Sequence, residues 1–409
     1  IRDGTATYDG VSIGLQSMHA THDQTRIIAD GRCYRVPDGR WRLDLGLKPD
    51  SRLLHDAEFI GSLPPTMRSH MRQINLRGPV GVRGNTSLWL PTRDDHQFEA
   101  DWNVLMQLEG NRLGDVGPVR DIRGEVRMAG HRDDLHVLIR GDMNIDSAHI
   151  FDIHTTRIRG PFTITDDRLE IGLPDDGQSI TARVFDGQVD LFGQAKLSAG
   201  DFSTTMTVDR VQLPTVLLEF GESGEDLTGV VSGQMELQGN IASINLLKGA
   251  GRLRFTGANL YRLPYIVQVF NLLSIRATEE HAFTDGTVDF NLFSDTLTFS
   301  DLQIWGDLIS LHGGGTLSRF RELDLTFDTQ VSPTNVFSQI TKPFRPSRYT
   351  IWTIDVQGPI DNPMIQRRAL DGVSQTLQRW LPGASTDDSD NVAEPSNARL
   401  PGNHKAIRR

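Results

Sequence analysis

The run Asp285-Gly286-Thr287-Val288-Asp289-Phe290-Asn291-Leu292-Phe293-Ser294-Asp295-Thr296-Leu297-Thr298-Phe299-Ser300-Asp301-Leu302-Gln303-Ile304 alternates apolar and polar residues almost throughout. Side chains along a strand point to opposite faces in turn. Val288, Phe290 and Leu292 therefore share one side and Thr287, Asp289 and Asn291 the other. Leu297 and Phe299 repeat the pattern beyond Ser294-Asp295, and Leu302 and Ile304 carry it across Gln303. Working outward, Gly249-Ala250-Gly251-Arg252-Leu253-Arg254-Phe255 reads as a preceding strand. Leu323, Leu325 and Phe327, alternating with Asp324, Thr326 and Asp328, read as a following one. Connections as short as Ser294-Asp295 and Ser318-Arg319 imply an antiparallel meander with one greasy and one wet face. The greasy face requires an apolar cover.

The remaining chain repeats this texture. Short strand patterns occupy the first 62 residues, with Asp9-Gly10, Asp30-Gly31 and Asp38-Gly39 as hairpin-type turn signals. Met67, His70, Met71 and Ile74 after Leu63-Pro64-Pro65 are spaced for one face of a helix, and strand patterns resume from Leu76. Residues 265–275 and 332–341 read as short helices, and residues 364–381 as an amphipathic helix with Ile365, Leu370, Val373, Leu377, Trp380 and Leu381 apolar. Residues 383–409, rich in Ser, Asp, Asn, Pro and Gly, read as a disordered tail. Asp186-Gly187-Gln188-Val189-Asp190-Leu191 resembles Asp285-Gly286-Thr287-Val288-Asp289-Phe290. Leu213-Pro214 and Leu263-Pro264 both follow a strand and open an apolar run. The period is irregular, so the repeat is degenerate.

Bulk composition narrows the function. The net charge of −11 over 409 residues argues against a nucleic-acid surface, and the single cysteine, Cys33, excludes an intramolecular disulfide or a cysteine zinc cage. No apolar window is long enough to span a bilayer as a helix. The chain begins at Ile1 with strand-like sequence at once, so an anchor or earlier repeats are expected ahead of it. No nucleophile elbow, phosphate loop, dinucleotide fingerprint or zincin helix occurs. Gly313-Gly314-Gly315 is read as a bulge or tight bend rather than a phosphate cradle. His131, Asp133, Asp134 and His136, with His149 and His154 nearby, are read as turns and wet strand faces rather than a metal site. A carbohydrate-binding or hydrolytic β-protein would need paired carboxylates and aromatics on one wet face, and the linear sequence does not assemble them. The expectation is a protein that is no enzyme and needs no cofactor or metal.

A sheet with a long apolar face and few helices must either be covered by a second sheet or curl to leave an apolar furrow. Several ordered pieces bear on that choice. They are Gly249-x-Gly251-x-Leu253-x-Phe255, Asn259-Leu260-Tyr261-Arg262-Leu263-Pro264, Leu302-Gln303-Ile304-Trp305-Gly306-Asp307-Leu308-Ile309-Ser310-Leu311-His312-Gly313-Gly314-Gly315, and Val356-Gln357-Gly358-Pro359-Ile360-Asp361-Asn362-Pro363. Together they resemble the C-terminal region of the AsmA-like family of bacterial envelope proteins, relatives of TamB and of bridge-like lipid-transfer proteins. The resemblance implies a mainly β fold: an elongated, curved antiparallel repeat sheet forming a hydrophobic groove, with a few short helices and a C-terminal amphipathic helix. It divides the chain into a β-repeat segment (1–180), an AsmA-like groove region (181–363), the helix (364–382) and the tail (383–409). It further implies binding and movement of phospholipid or other acyl lipids between inner and outer membranes. The expected location is the periplasm of a bacterium with an outer membrane, tethered to the inner membrane, with the membranes or their proteins as partners. The expected groove residues are Leu253, Phe255, Val288, Phe290, Leu292, Leu297, Phe299, Leu302, Ile304, Leu323, Leu325 and Phe327. The alternative function is a non-catalytic assembly or scaffold factor for outer-membrane biogenesis.

Overall fold

A computed structural model of the chain describes residues 2–22, 25–54, 76–90, 99–114, 119–133, 135–219, 227–241, 243–259, 283–305, 309–331, 350–360 and 362–369. The expected helices at 67–74, 265–275 and 332–341, and the tail, lie outside the described residues. Contacts divide the chain into one compact unit, Ile1–Arg368, and a second, Ala369–Arg409. The described strands form a single antiparallel sheet of 23 strands. They are β1 (Asp3–Tyr8), β2 (Ser12–His22), β3 (Thr25–Arg35), β4 (Trp41–Leu47), β5 (Arg52–Leu54), β6 (Leu76–Arg77), β7 (Pro79–Leu90) and β8 (Glu99–Leu113). Next come β9 (Val119–Arg132), β10 (Val137–Ile150), β11 (Ile153–Thr165), β12 (Arg168–Ile171), β13 (Ile180–Val184), β14 (Gly187–Lys196) and β15 (Asp201–Gln212). After the short helix α1 (Leu213–Glu219) follow β16 (Val230–Asn240), β17 (Ser243–Thr256), β18 (Asp285–Phe293), β19 (Thr296–Trp305) and β20 (Ile309–Ser318). β21 (Glu322–Val331), β22 (Thr350–Pro359) and β23 (Met364–Ala369) close the sheet. The pairing follows chain order, as the alternation predicts.

Three rungs are each shared by two strands, and local hydrogen bonds mend each break. β4 and β5 both lie between β3 and β7. In the gap between them the hydroxyl of Ser51 accepts from Ile28 N and donates to Ile28 O, both at 3.0 Å. β6 and β7 both pair with β8, across Gly78 at φ 98°. There the amide of Asn111, 1% exposed, donates to the carbonyls of Arg77 (3.2 Å) and Pro79 (3.1 Å) and accepts from Glu109 N at 2.8 Å. β12 and β13 both lie between β11 and β14, and Gly172 N bonds Pro161 O at the break. Buried backbone groups must find partners, so an interrupted rung survives only with such substitutes.

Successive hairpin ends are bonded side by side along one margin: Leu197 N to Asp167 O, Ile241 N to Gly200 O, Ser294 N to Leu247 O, Phe320 N to Asp295 O and Ile360 N to Arg321 O. The ends of β5, β15, β17 and β21, where long connections begin, lie on the opposite margin. Two expectations are corrected. Asp30-Gly31 is no turn, because Gly31 sits inside β3, where a Cβ would come within 2.4 Å of Asp44 O. Residues 364–369 are strand β23 rather than helix, because Ile365 packs on the apolar cluster and Arg368 forms a two-pronged ion pair with Asp355 of β22. The Gly313-Gly314-Gly315 reading holds. Register shifts between Phe299 and Leu302 of β19, which pair with Gly315 and Gly313, so the bulge lies opposite Gly314.

Truncating Asn111 to Ala strands buried backbone groups and is expected to cost about 1–3 kcal/mol, read as a lowered urea midpoint. Thr298→Val on the exposed face serves as the control, expected within about 0.5 kcal/mol of the parent.

Candidate functional site

Residues that are Cα partners across antiparallel strands point to the same side, so the register assigns every strand residue to a face. One face is predominantly apolar from the first strand to the twenty-second, with Arg35 and Arg132 on it at the hairpin margin. A single row of partners runs Ala6, Leu15, Gly31, Leu45, Thr86, Trp102, Gly130, Ile139, Ile164, Leu169, Ala195, Phe202, Gly239. A second runs Ile180, Leu191, Met206, Met235, Gly251, Phe290, Phe299, Gly315, Leu325, Val356. Neither row contains a charged residue.

All the residues expected to line a groove fall on this face. Leu253, Val288, Leu302 and Phe327 belong to one row with Gly313 and Ile354. Leu292, Leu297 and Leu323 belong to another with Leu317, and Phe290, Phe299 and Leu325 to the row above. Phe255 and Ile304 join through Gly286. Their burial differs. Ile304 (9% exposed) and Phe327 (7%) sit in a closed cluster with Phe283, Leu311, Ile354 and Val356, against which Phe255, Leu302, Leu323 and Leu325 pack. Val288, Phe290, Leu292, Leu297 and Phe299 of the same face remain half-exposed. A second closed cluster, including Val80, Val82, Leu108, Val126, Ile145 and Phe162, lies on β6–β11. The sealed parts of the face lie toward the margin of the long connections; Leu292 and Leu297 lie at the hairpin margin.

The sequence reading missed the face's glycines. A Cβ on Gly286 would stand 2.0 Å from the Phe255 ring, on Gly251 2.6 Å from that of Phe290, on Gly130 2.3 Å from that of Trp102 and on Gly141 2.5 Å from that of Phe162. Each glycine thus receives a large ring from a neighbouring strand, and the apolar layer stays thin. The repeated Asp-Gly pairs are explained the same way. At the first copy the two-residue turn is Phe185-Asp186, both at positive φ (49° and 61°), while Gly187 already belongs to β14 and faces Val211.

The opposite face is a polar ladder. Arg252 pairs in two-pronged fashion with Asp289. Thr326 donates to Asp355 (2.9 Å), Thr353 to Asp328 (3.0 Å) and Gln357 to Asp324 (2.9 Å). Ser87 donates to Asp44 at 2.6 Å, and Arg42 lies 4.6 Å over the Trp89 ring. The hydrogen bond from Arg252 holds the Asp289 carboxyl below the usual carboxylate range, and that from Arg368 does the same for Asp355. His131 Nδ1 lies 2.7 Å from Asp101, whose hydrogen bond pushes the imidazole pKa up against a smaller opposing effect of burial. His149 and His154 are cross-strand partners with ring centroids 5.3 Å apart. Among the described residues, no three His, Cys, Asp or Glu side chains converge as a metal-holding group, and no helix is long and apolar enough to cross a membrane.

Comparison with protein-family models, curated proteins and solved structures finds no match to this chain.

A histidine whose pKa rises on folding stabilises the fold fully below its unfolded pKa and loses that contribution as pH climbs through the folded value. Asp101→Asn is therefore expected to return the His131 pKa toward its ordinary value, followed by imidazole NMR. The variant loses stability relative to the parent at pH 5 and not at pH 9.

Proposed function

We propose that this protein is a non-catalytic lipid handler whose apolar face forms a groove for acyl chains, and that it serves transfer of phospholipid or related lipids across the periplasm. The observation that carries the reading is the pair of uncharged rows running from strand to strand on one face, sealed in two clusters and half-exposed between and beyond them. Apolar rows of this kind run across the strands, advancing about 4.8 Å per strand, so an extended acyl chain laid along them meets the same chemistry at each step. Burial of methylenes is non-directional and contributes roughly 0.8 kcal/mol each, which favours retention without fixing register and so permits sliding. The glycine–ring pairs support the groove: on a curved inner face side chains converge, and omitting alternate Cβ atoms relieves the crowding. Bulges at Leu15/Met18, Val208/Val211 and Phe299/Leu302 supply places where strands bend. The envelope setting, the two membranes as partners and the direction of transfer rest on the sequence resemblance.

The closed clusters around Ile354 and Val80 favour a second reading, a scaffold with a filled interior that contacts envelope machinery and carries no lipid. Native mass spectrometry with lipid extraction separates the two. The groove reading expects co-purifying phospholipid, lost when Phe290 and Phe299 are both changed to Asp in a protein still folded by circular dichroism. Lipid-free, folded parent protein that also fails to quench or enhance a fluorescent fatty acid overturns it in favour of the scaffold.

A further inference from the structure

A concavity lies on the polar face. Between β12 and β13, residues 172–179 leave the sheet and fold back as a 3-10 turn, Pro174–Asp176. Leu173 and Gln178 close this excursion with reciprocal backbone bonds of 2.7 and 3.1 Å, and Gly177 takes the left-handed conformation (φ 67°) that ends it. Pro174 and Asp175 thereby wall a depression of about 630 Å³ whose floor is the polar face of β12 and β14–β17. That volume lies within the usual range for small-ligand sites.

The floor is a row of partners, Glu170, Gln194, Ser203, Gln238 and Lys248, one from each successive strand. Half of it is braced from within. Arg168 lies 3.0 Å from Glu170 and donates to Gln194 Oε1 at 2.7 Å, and Gln194 Nε2 donates to Ser203 Oγ at 3.0 Å. The other half is not. Thr205, Glu236 and Gln238 line the concavity without a side-chain hydrogen bond among the described residues. Phe192 adds an aromatic wall, set so close to Gly172 that a Cβ there would come within 2.9 Å of the ring.

We infer that this concavity is a binding site for a neutral oligosaccharide, independent of the apolar face. The unoccupied amide and hydroxyl donate and accept and the carboxylate accepts, so together they meet the paired donors and acceptors of vicinal sugar hydroxyls. Thr205 and Glu236 are cross-strand partners about 4.8 Å apart, and Gln238 lies two residues along the same strand as Glu236, so the three groups cluster over about the size of one sugar ring. The Phe192 ring suits the C–H face of a pyranose, because its electron-rich face attracts weakly positive hydrogens. Charge argues against an anionic ligand. Arg168 is already neutralised by Glu170, and the one other cation among the described lining residues, Lys248, has its ammonium 5.8 Å over the Phe293 ring, while Glu236 and Asp175 add negative charge. An apolar ligand would leave the polar floor unsatisfied.

The test is calorimetric titration of the full chain with cellohexaose and with N-acetylchitohexaose, alongside a sulfated heparin hexasaccharide. Saturable binding of at least one neutral hexasaccharide is expected, weakened tenfold or more by Gln238→Ala and by Phe192→Ala. Both variants are on the partly exposed face, and circular dichroism checks that they keep the parent's fold. The inference is overturned if neither neutral sugar binds, if binding survives both substitutions, or if only the sulfated sugar binds and Lys248→Gln abolishes it.

Discussion

Each strand must present its apolar residues to the same side as both its neighbours, and everything else in this molecule follows from that requirement. With a side-chain period of two, a slip of one residue at any rung would turn that strand's apolar set to water and its charges inward. The bulges preserve the phase. Phe299 and Leu302 differ in parity, yet both lie on the apolar face because Ser300 and Asp301 together oppose Gly314. Ser17 and Arg210, at positive φ, mark the same adjustment between Leu15 and Met18 and between Val208 and Val211.

The two faces answer opposite demands. On the wet face, charge pairs such as Arg252–Asp289 and Arg368–Asp355 cross from strand to strand. Exposed pairs of this kind add little net stability, and their larger effect is on register: a carboxylate one position out of step would lose its partner. The dry face uses size instead. Rings of Phe255, Phe290, Trp102 and Phe162 lie over glycines of neighbouring strands, so a register error there meets a Cβ clash rather than a lost ion pair. Charge and volume thus specify the same alignment from opposite sides.

Breaks in the rungs show how far the ladder can be interrupted. Ser51 and Asn111 are among the most buried polar residues, and both stand where a strand stops and restarts. The third interruption differs, because residues 172–179 leave the rung altogether and shape the wet face beside them. A repair and a binding site are alternative uses of the same local event.

The antiparallel meander and the facing of Leu253 through Phe327 were legible in the chain itself, because alternation is a local property and short turns leave neighbouring strands no partners but each other. So was the bulge at Gly313-Gly314-Gly315. Residues 364–369 were misread, because helical spacing over a long window outweighed a short strand whose warrant, the Asp355–Arg368 pair, is not local. Gly31 and Gly187 were ambiguous for a related reason: a glycine that relieves a turn and one that makes room for a distant side chain look the same in sequence. The tertiary structure alone decided which parts of the apolar face are sealed around Ile354 and Val80, which stay half-exposed around Phe290, and which polar residues gather under Pro174. Those outcomes depend on contacts between segments far apart in the chain, and the alternation of apolar and polar residues carries no record of them.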